Sequence, residues 1–218
     1  IESVVVTARR VAESRQQVPI PIATLSGKDL EAEGSFRLES LNTKLPSTNI
    51  QYANPRQSSF SLRGFGNNPA NDALETDVGT YLDNVYLARP GMANFDLVDI
   101  DQVYLLRGPQ GTLFGKNTTA GVLNISTRQP SFTPEGTVET SVGSDDFRQL
   151  RVSYAGPLTE QTLAGRITLT QTSQDGYVDN IYDGRELNGS AREGVRGQLL
   201  FLKDELSVRL IGDYQREN

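Results

Sequence analysis

The last third of the chain alternates between apolar and polar residues with a period of two, which is the pattern of β-strands whose two faces meet different surroundings. Leu150, Val152 and Tyr154 lie on one side of one such segment, and the residues between them are polar. The segments that share this alternation are 136–144, 147–156, 163–172, 194–203 and 205–214. They predict antiparallel strands of about ten residues each.

The connections between these segments differ in length. Short turns are predicted at 144–146, 156–161 and 203–205, whereas 173–193 forms one long polar loop. Transmembrane barrels show this difference, because their turns on one side of the membrane are short and their loops on the other side are longer. An antiparallel sandwich with one solvated face shows the same alternation along its strands. The pattern alone therefore leaves both architectures open.

The composition argues against several classes of protein. The 218 residues contain no cysteine and no histidine, so a disulfide framework, a thiolate site and the usual general base are all missing. These absences argue against most enzymes and against a metal site, and we predict no cofactor. A net charge of -6 disfavours a nucleic-acid partner. No apolar run reaches the roughly 20 residues of a transmembrane helix.

The first 130 residues mix short strands, helical stretches and glycine-rich loops. Residues 20–34 predict a strand followed by a helical turn that Ser26 caps. Leu38, Leu41 and Leu45 are spaced as one apolar helical stripe, which is typical of a core. Further strands are predicted at 58–66, 77–87 and 100–108.

The segment RGPQGTLFGKN, residues 107–117, looks at first like a phosphate-binding loop. Such a loop needs a glycine at position 110, which is Gln110, and a hydroxyl residue where Asn117 stands. The residues that follow, 118–128, are rich in β-branched side chains and predict a strand instead of the required helix. We therefore interpret the glycines as turn formers between two strands.

Residues 97–128, read together with 60–66 and 78–87, closely resemble the plug of TonB-dependent outer-membrane receptors. The alternating segments behind them resemble the first strands of the receptor barrel, so the resemblance covers nearly the whole chain. It implies an α+β plug domain followed by antiparallel transmembrane β-barrel strands. The barrel that the family implies has about 22 strands, of which about five are present, so this is an incomplete barrel. We expect the other strands beyond Asn218.

The resemblance implies three regions along the chain. Residues 1–12 hold the TonB box and the N-terminal segment, 13–130 form the plug domain, and 131–218 form the N-terminal part of the β-barrel. Ile1 follows no signal peptide in this sequence, and we expect a mature or trimmed start.

The implied function is that of a non-enzymatic receptor in the outer membrane of a Gram-negative bacterium, in contact with outer-membrane lipid. It takes up a scarce nutrient, which is a siderophore, another chelate or a glycan. The work comes from TonB and its inner-membrane energising complex, which rearrange the plug. The alternative from another class is a soluble, secreted β-rich binding module without transport activity, in which 136–215 form a sandwich sheet.

The resemblance also assigns residues to contacts with partners. A short extended segment ahead of the plug, the TonB box, is captured by TonB through strand addition, and an ordinary edge strand of the plug is the alternative for this segment. The candidate residues for the TonB contact are Ser3, Val4, Val5, Val6, Thr7 and Ala8. Arg63 and Arg107 stand where arginines of the family pair with glutamates of the barrel wall and hold the plug in place. Exposed arginines without this role are the alternative.

Ligand capture in the family falls to outward loops of the plug together with barrel loops. The plug loops here are 66–77 and 88–95, which carry amides, carboxylates and one arginine. The candidate ligand-binding residues are Asn67, Asn68, Asn71, Asp72, Arg89 and Asn94. Their polar groups could hydrogen-bond a chelate or a glycan, although solvated loops have the same composition.

Two positions depart from the family pattern. Asn84 stands where the family commonly has glycine after Tyr-Leu-Asp, and Tyr104 stands where the family commonly has glutamate. The second change removes a carboxylate from the plug interior. It puts in doubt any charge network around Arg107 that rests on the resemblance.

Overall fold

A computed structural model of the chain describes residues 5–6, 13–14, 20–34, 37–52, 57–67, 75–93, 95–184 and 186–217. The chain divides into two compact units, Ile1–Thr127 and Arg128–Asn218. The division lies close to the boundary predicted between residues 130 and 131. The regions 1–12, 13–130 and 131–218 stay predictions.

The described residues of the first unit form short strands and short helices. In chain order the strands are β1 (Val5–Val6), β2 (Glu13–Ser14), β3 (Ile22–Ser26), β4 (Thr48–Tyr52), β5 (Ser58–Leu62), β6 (Phe65–Gly66), β7 (Val78–Leu82), β8 (Val85–Leu87), β9 (Ile100–Arg107) and β10 (Gly121–Thr127). The helices are α1 (Gly27–Ala32), α2 (Gly111–Phe114) and the 3₁₀ helices Leu38–Thr43 and Pro90–Ala93. No helix in the described part of the chain is long and apolar enough to cross a membrane.

A mixed five-stranded sheet, the central sheet, organises the first unit. Its strand order is β3-β9-β10-β7-β8. Strands β10 and β7 run parallel, and the other neighbours run antiparallel. A second, antiparallel sheet joins β4, β5 and β6, and β1 pairs antiparallel with β2.

Strands β9 and β10 carry the core on both of their faces. Val103 and Leu105 of β9 pack into the larger apolar cluster, which also contains Leu41 of the first 3₁₀ helix. Tyr104 and Leu106 point the other way and pack into a second, partly aromatic cluster. Burial on both faces explains why β9 is a nearly continuous apolar run and does not alternate.

The predicted helix cap and apolar stripe are confirmed, with one difference in helix type. Ser26 caps α1, because its Oγ accepts a hydrogen bond from the N–H of Asp29 at 3.1 Å. Leu38, Leu41 and Leu45 are buried, as their spacing predicts. The segment nevertheless forms a 3₁₀ helix of 6 residues. This tighter geometry is common in helices that are too short to gain from α-helical hydrogen bonding.

The second unit is a meander of long strands. Its strands are β11 (Glu135–Val142), β12 (Arg148–Thr159), β13 (Leu163–Gln174), β14 (Val178–Asp179), β15 (Glu186–Leu187), β16 (Ser190–Lys203) and β17 (Leu206–Glu217). Five of them form one antiparallel sheet in the order β11-β12-β13-β16-β17, which confirms the predicted strands. Strands β14 and β15 form a separate hairpin inside the long polar loop.

The meander exposes its apolar face, and its three inner strands β12, β13 and β16 bury their polar face. One row across the five strands joins Val138, Val152, Leu169, Val195 and Tyr214. The buried residues of the opposite face include Gln149, Arg151, Arg166, Thr168, Arg192 and Gln198. This distribution is the reverse of a sheet in water, where the apolar face is the covered one.

We predict that alanine substitutions at two glycines have different effects on the free energy of unfolding. A Cβ at Gly27 would overlap the backbone carbonyl of Ile100, so Gly27→Ala should lower the free energy of unfolding by about 1–3 kcal/mol. A Cβ at Gly111 meets no atom within 4 Å, so Gly111→Ala should be neutral or stabilising by up to about 1 kcal/mol. Calorimetric unfolding of the purified protein measures both. Equal effects at the two positions would contradict the packing of α1 against β9.

Candidate functional site

The glycine-rich segment 107–117 connects the antiparallel neighbours β9 and β10, as the sequence predicts for a strand-loop-strand unit. Helix α2 makes a single turn, which Gly115 ends with a positive φ of 81°. The N–H of Gly108 donates to the carbonyl of Ala120 at 2.9 Å, and the N–H of Gln110 donates to that of Thr118 at 2.9 Å. The backbone amides of the two residues are therefore used within the loop, which is not the geometry of a phosphate cradle.

Aromatic side chains fix this loop against the central sheet. The hydroxyl of Tyr81 donates to the backbone carbonyl of Phe114 at 2.6 Å, and the two rings meet edge to face at 5.2 Å. The amide of Asn117 donates to the hydroxyl of Tyr86 at 2.9 Å. Tyr104 belongs to the same cluster and is 3% exposed. The residue that replaces the family glutamate thus contributes to an aromatic core where a carboxylate would have lacked water.

Asn84, the other departure, occupies a position with a special backbone conformation. Asp83 and Asn84 form the two-residue turn of the β7–β8 hairpin, with φ of 47° and 68°. A turn with two positive φ values favours glycine and asparagine, so asparagine satisfies the requirement that glycine meets in the family.

Arg63 and Arg107 both follow directly upon buried strand residues. Arg63 is exposed in the turn between β5 and β6, and its N–H donates to the carbonyl of Ser47 at 2.8 Å. Arg107 is half-buried at the end of β9, and its N–H donates to the carbonyl of Pro21 at 3.0 Å. Neither guanidinium forms a hydrogen bond or an ion pair with a residue of the described ranges.

The two arginines are linked through packing at one end of the central sheet. Gly121 pairs with Arg107 across β9 and β10. A Cβ at Gly121 would lie 2.7 Å from Cδ2 of Leu62, the residue before Arg63. The fold thus places both candidate lock residues at neighbouring turns.

The described ends of the first candidate ligand loop, 66–77, are both anchored. The side-chain amide of Asn67 donates to the carbonyl of Ser58 at 2.9 Å, and its oxygen accepts from the N–H of Phe60 at 3.0 Å. The side-chain NH2 group and the side-chain oxygen of Asn67 therefore both hold the loop to β5. At the other end Glu75 forms an ion pair with Lys116 at 2.6 Å.

The ion pair of Glu75 and Lys116 shifts the pKa of both groups. The hydrogen bond from Lys116 holds the pKa of the Glu75 carboxyl below its usual value, and a hydrogen bond from Asn117 adds to this effect. The hydrogen bond to Glu75 and the charge of its carboxylate raise the pKa of Lys116. Both side chains are exposed, so the pair positions the loop more than it stabilises the fold.

The remaining predicted site residues are only partly described. Arg89 is exposed just before the 3₁₀ helix Pro90–Ala93. Val5 and Val6 form β1 and pair with Ser14 and Glu13. The predicted site residues that lie outside the described residues are Ser3, Val4, Thr7, Ala8, Asn68, Asn71, Asp72 and Asn94.

Ion pairs between neighbouring strands order the polar face of the meander. Arg196 contacts Asp213 at 2.8 Å, and Arg192 lies 4.0 Å from Glu217. Arg151 pairs with Glu139, which lies directly opposite in the register. These contacts compensate the buried guanidinium groups.

One further pair on the polar face skips a strand. Arg166 of β13 donates to Glu135 of β11 at 2.9 Å, although β12 lies between them. Ala155, which is opposite both residues in the register, is small enough for the guanidinium to pass over it.

Residues 14–122 match the family model of the TonB-dependent receptor plug domain. The chain belongs to the TonB-dependent receptor family. The predicted family, the plug followed by partial barrel strands, and the outer-membrane location are thereby confirmed. Within the described residues no cluster of three His, Cys, Asp or Glu side chains forms a possible metal site.

Known receptors are similar to this chain in sequence and in fold. The pesticin receptor of Yersinia pestis is 32% identical over 193 residues, which are 88% of this chain and 28% of the relative. The crystal structure of the ferric yersiniabactin uptake receptor of Yersinia pestis is 32% identical with a TM-score of 0.80, over 91% of this chain and 31% of that one.

A more distant structure matches in fold alone. The outer-membrane ferripyoverdine receptor of Pseudomonas aeruginosa is 18% identical with a TM-score of 0.80, over 97% of this chain and 27% of that one. The chain therefore spans less than a third of the length of each of these relatives.

We predict that Lys116→Gln returns the pKa of Glu75 towards its ordinary value of 4.5. Because the folded chain lowers this pKa, the pair stabilises the loop above pH 4.5 and loses its effect as the pH falls through the lowered value. Titration of the Glu75 carboxyl by carbon-13 NMR measures the shift. Lys28→Gln, which removes an exposed lysine of α1, is the matched control and should leave the titration unchanged.

Proposed function

We propose that the chain is the plug and the first barrel strands of a receptor that takes up a scarce nutrient across the outer membrane. TonB and its inner-membrane energising complex supply the work by rearranging the plug. The protein contributes binding and a gated path, and it catalyses no reaction. Outer-membrane lipid surrounds the outward face of the barrel strands.

The polarity of the meander is the observation that carries this proposal. On β12 the exposed apolar residues extend from Leu150 to Leu158, whereas polar residues of the opposite face such as Arg151 are buried. Eight residue steps cover about 27 Å along a strand, or about 20 Å across the membrane at a tilt of 40°. This height approaches the apolar band of outer-membrane barrels, which is about 25 Å tall. A soluble binding module would have to cover this face, and the exposed apolar row disfavours that alternative.

The ion pairs of the polar face bear on the role of the two arginines. Each carboxylate of this face that the structure pairs, Glu135, Glu139, Asp213 and Glu217, already faces an arginine of its own sheet. We infer that the glutamates that hold Arg63 and Arg107 belong to other strands of the barrel. Charge-assisted hydrogen bonds to these two guanidinium groups would fix the plug in the lumen.

The pairing of β1 with β2 supports the assignment of the TonB contact. Val5 and Val6 are already extended, as strand addition requires, and they pair with β2. Within the described residues two pairs join β1 and β2, so a longer strand of TonB could replace β2 as the partner. The contact would include Ser3 to Ala8.

A siderophore is the ligand class that the relatives favour. One of them is a ferric yersiniabactin uptake receptor, and another is a ferripyoverdine receptor. We propose that the loops 66–77 and 88–95 contact the ligand of this chain, with Asn68, Asn71, Asp72, Arg89 and Asn94 as the contact residues. Asn67 holds the first loop in place.

We predict that Val5→Pro lowers TonB-dependent uptake about tenfold or more, because proline removes a backbone N–H from the strand that TonB captures. Val5→Thr keeps the N–H and the β-branched shape and should retain most of the uptake. Transport of iron-55 supplied as a ferric siderophore, compared in cells with and without TonB, measures the effect. Uptake that persists without TonB would refute the proposed function itself.

We predict that an arginine on the outward face lowers the free energy of unfolding more near the middle of the apolar band than at its edge. Ile167→Arg places a guanidinium near the middle of the apolar band and should lower the free energy of unfolding by about 2–4 kcal/mol. Gln171→Arg places the same group on the same face of β13 at the upper edge of the band, at a cost of about 0–1 kcal/mol. Urea unfolding of the receptor in lipid vesicles measures both. Equal costs would contradict the proposed orientation in the membrane.

A further inference from the structure

The first unit contains a pocket that joins the first 3₁₀ helix, the small sheet and the ligand loop 88–95. We name it the Glu39 pocket. Its apolar wall includes Leu38, Phe60 and Ala93, and its polar wall includes Glu39, Ser59 and Thr80. The volume is about 20 Å³, which is room for one group of the size of a water molecule.

Two largely buried residues contribute hydroxyl groups to the lining of this pocket. Ser59 is 7% exposed and Thr80 is 4% exposed. Neither hydroxyl forms a hydrogen bond with a residue of the described part of the chain. Both hydroxyl groups therefore keep their hydrogen-bonding capacity for a ligand in the pocket.

The third polar group of the wall is a carboxylate that keeps acceptor capacity. Nε of Arg37 lies 3.6 Å from Oε2 of Glu39, which is beyond a good hydrogen bond. The guanidinium of Arg37 instead lies over the ring of Tyr52, at 5.9 Å from its centroid. Glu39 can therefore accept a stronger hydrogen bond from a donor inside the pocket.

We propose that the Glu39 pocket binds the primary ammonium group of an amine-bearing ligand, with Glu39, Ser59 and Thr80 as the acceptors. An ammonium group has three N–H donors and no acceptor, which matches a wall of one carboxylate and two hydroxyls. The adjoining methylenes pack against Leu38 and Phe60. The inference rests on the proposed receptor function, because the ammonium group is then a side arm of the transported compound.

The position of Ala93 connects the pocket with the candidate ligand site. Ala93 ends the 3₁₀ helix that lies inside the loop 88–95, and it also lines the pocket. A ligand held by this loop can therefore reach Glu39 with a short arm. A free carboxylate or phosphate arm is disfavoured, because Glu39 would repel it.

Butylamine is the probe for this proposal, with butan-1-ol and butyrate as matched controls of the same chain length. Saturation-transfer difference NMR on the full receptor in detergent measures the dissociation constants. Butylamine should bind with saturation, and Glu39→Gln should weaken it about tenfold. Thr80→Val and Ser59→Ala should each weaken it about fivefold. Asp101→Asn, which removes an exposed carboxylate of β9, should leave it unchanged.

Several outcomes would overturn the proposal. These are equal binding of butylamine and butan-1-ol, tighter binding of butyrate, or an equal effect of Glu39→Gln and Asp101→Asn. Thermal unfolding of each variant establishes that the fold is retained. The NMR experiment is independent of transport: absence of amine binding together with TonB-dependent uptake overturns the pocket proposal alone, whereas uptake without TonB overturns the proposed function.

Discussion

The pairing of β9 with β10 is the contact on which the plug depends. Both strands are buried on both faces, so their backbone groups have no water available and must satisfy one another. The pair separates the larger apolar cluster from the aromatic one, and it carries the glycine-rich loop at one end. Gly121, opposite Arg107, lets Leu62 approach the pair closely and thereby brings the turn of Arg63 beside that of Arg107. A side chain at position 121 would separate the two candidate lock residues.

The meander differs from the plug because its exposed face is apolar and its covered face is polar. The same requirement for backbone hydrogen bonding explains its long antiparallel strands. Backbone groups in lipid also need partners within the protein, and long antiparallel strands supply them. Side chains then adapt to the medium on each face, which leaves guanidinium groups on the covered face. Arg151, Arg166, Arg192 and Arg196 are each matched by a carboxylate of the same sheet. Two edge strands, β11 and β17, remain available for further pairing.

Much of this architecture could be predicted because it follows from local patterns. Alternation located the strands of the meander, since each strand separates two media, and the cap at Ser26 was visible in the spacing of its residues. The resemblance of 97–128 to receptor plugs identified the family. Contacts between segments that are distant in the sequence produce no local pattern from which they could be predicted. Glu75 and Lys116 are 41 residues apart, and their pairing depends on how the loop 66–77 returns to the central sheet.

The candidate site shows the same limit. Asn67 was predicted as a candidate ligand-binding residue, and the fold hydrogen-bonds its side-chain amide to β5. The Glu39 pocket contains residues of two 3₁₀ helices and two sheets, which lie far apart in the sequence and share no motif. The 3₁₀ geometry of Leu38–Thr43 also escaped prediction, because the spacing of three leucines is nearly the same in both helix types.

The pair of Arg166 and Glu135 has a consequence for how the barrel is assembled. It joins strands that are not neighbours, so it forms only when β11 and β13 both hold the correct register on β12. A slip of β11 by one residue would turn Glu135 towards lipid and leave Arg166 without its carboxylate. Misaligned strands would therefore be penalised by charge as well as by hydrophobic exposure. Because the small side chain of Ala155 allows this ion pair, the pair favours the correct register of all three strands over misaligned ones.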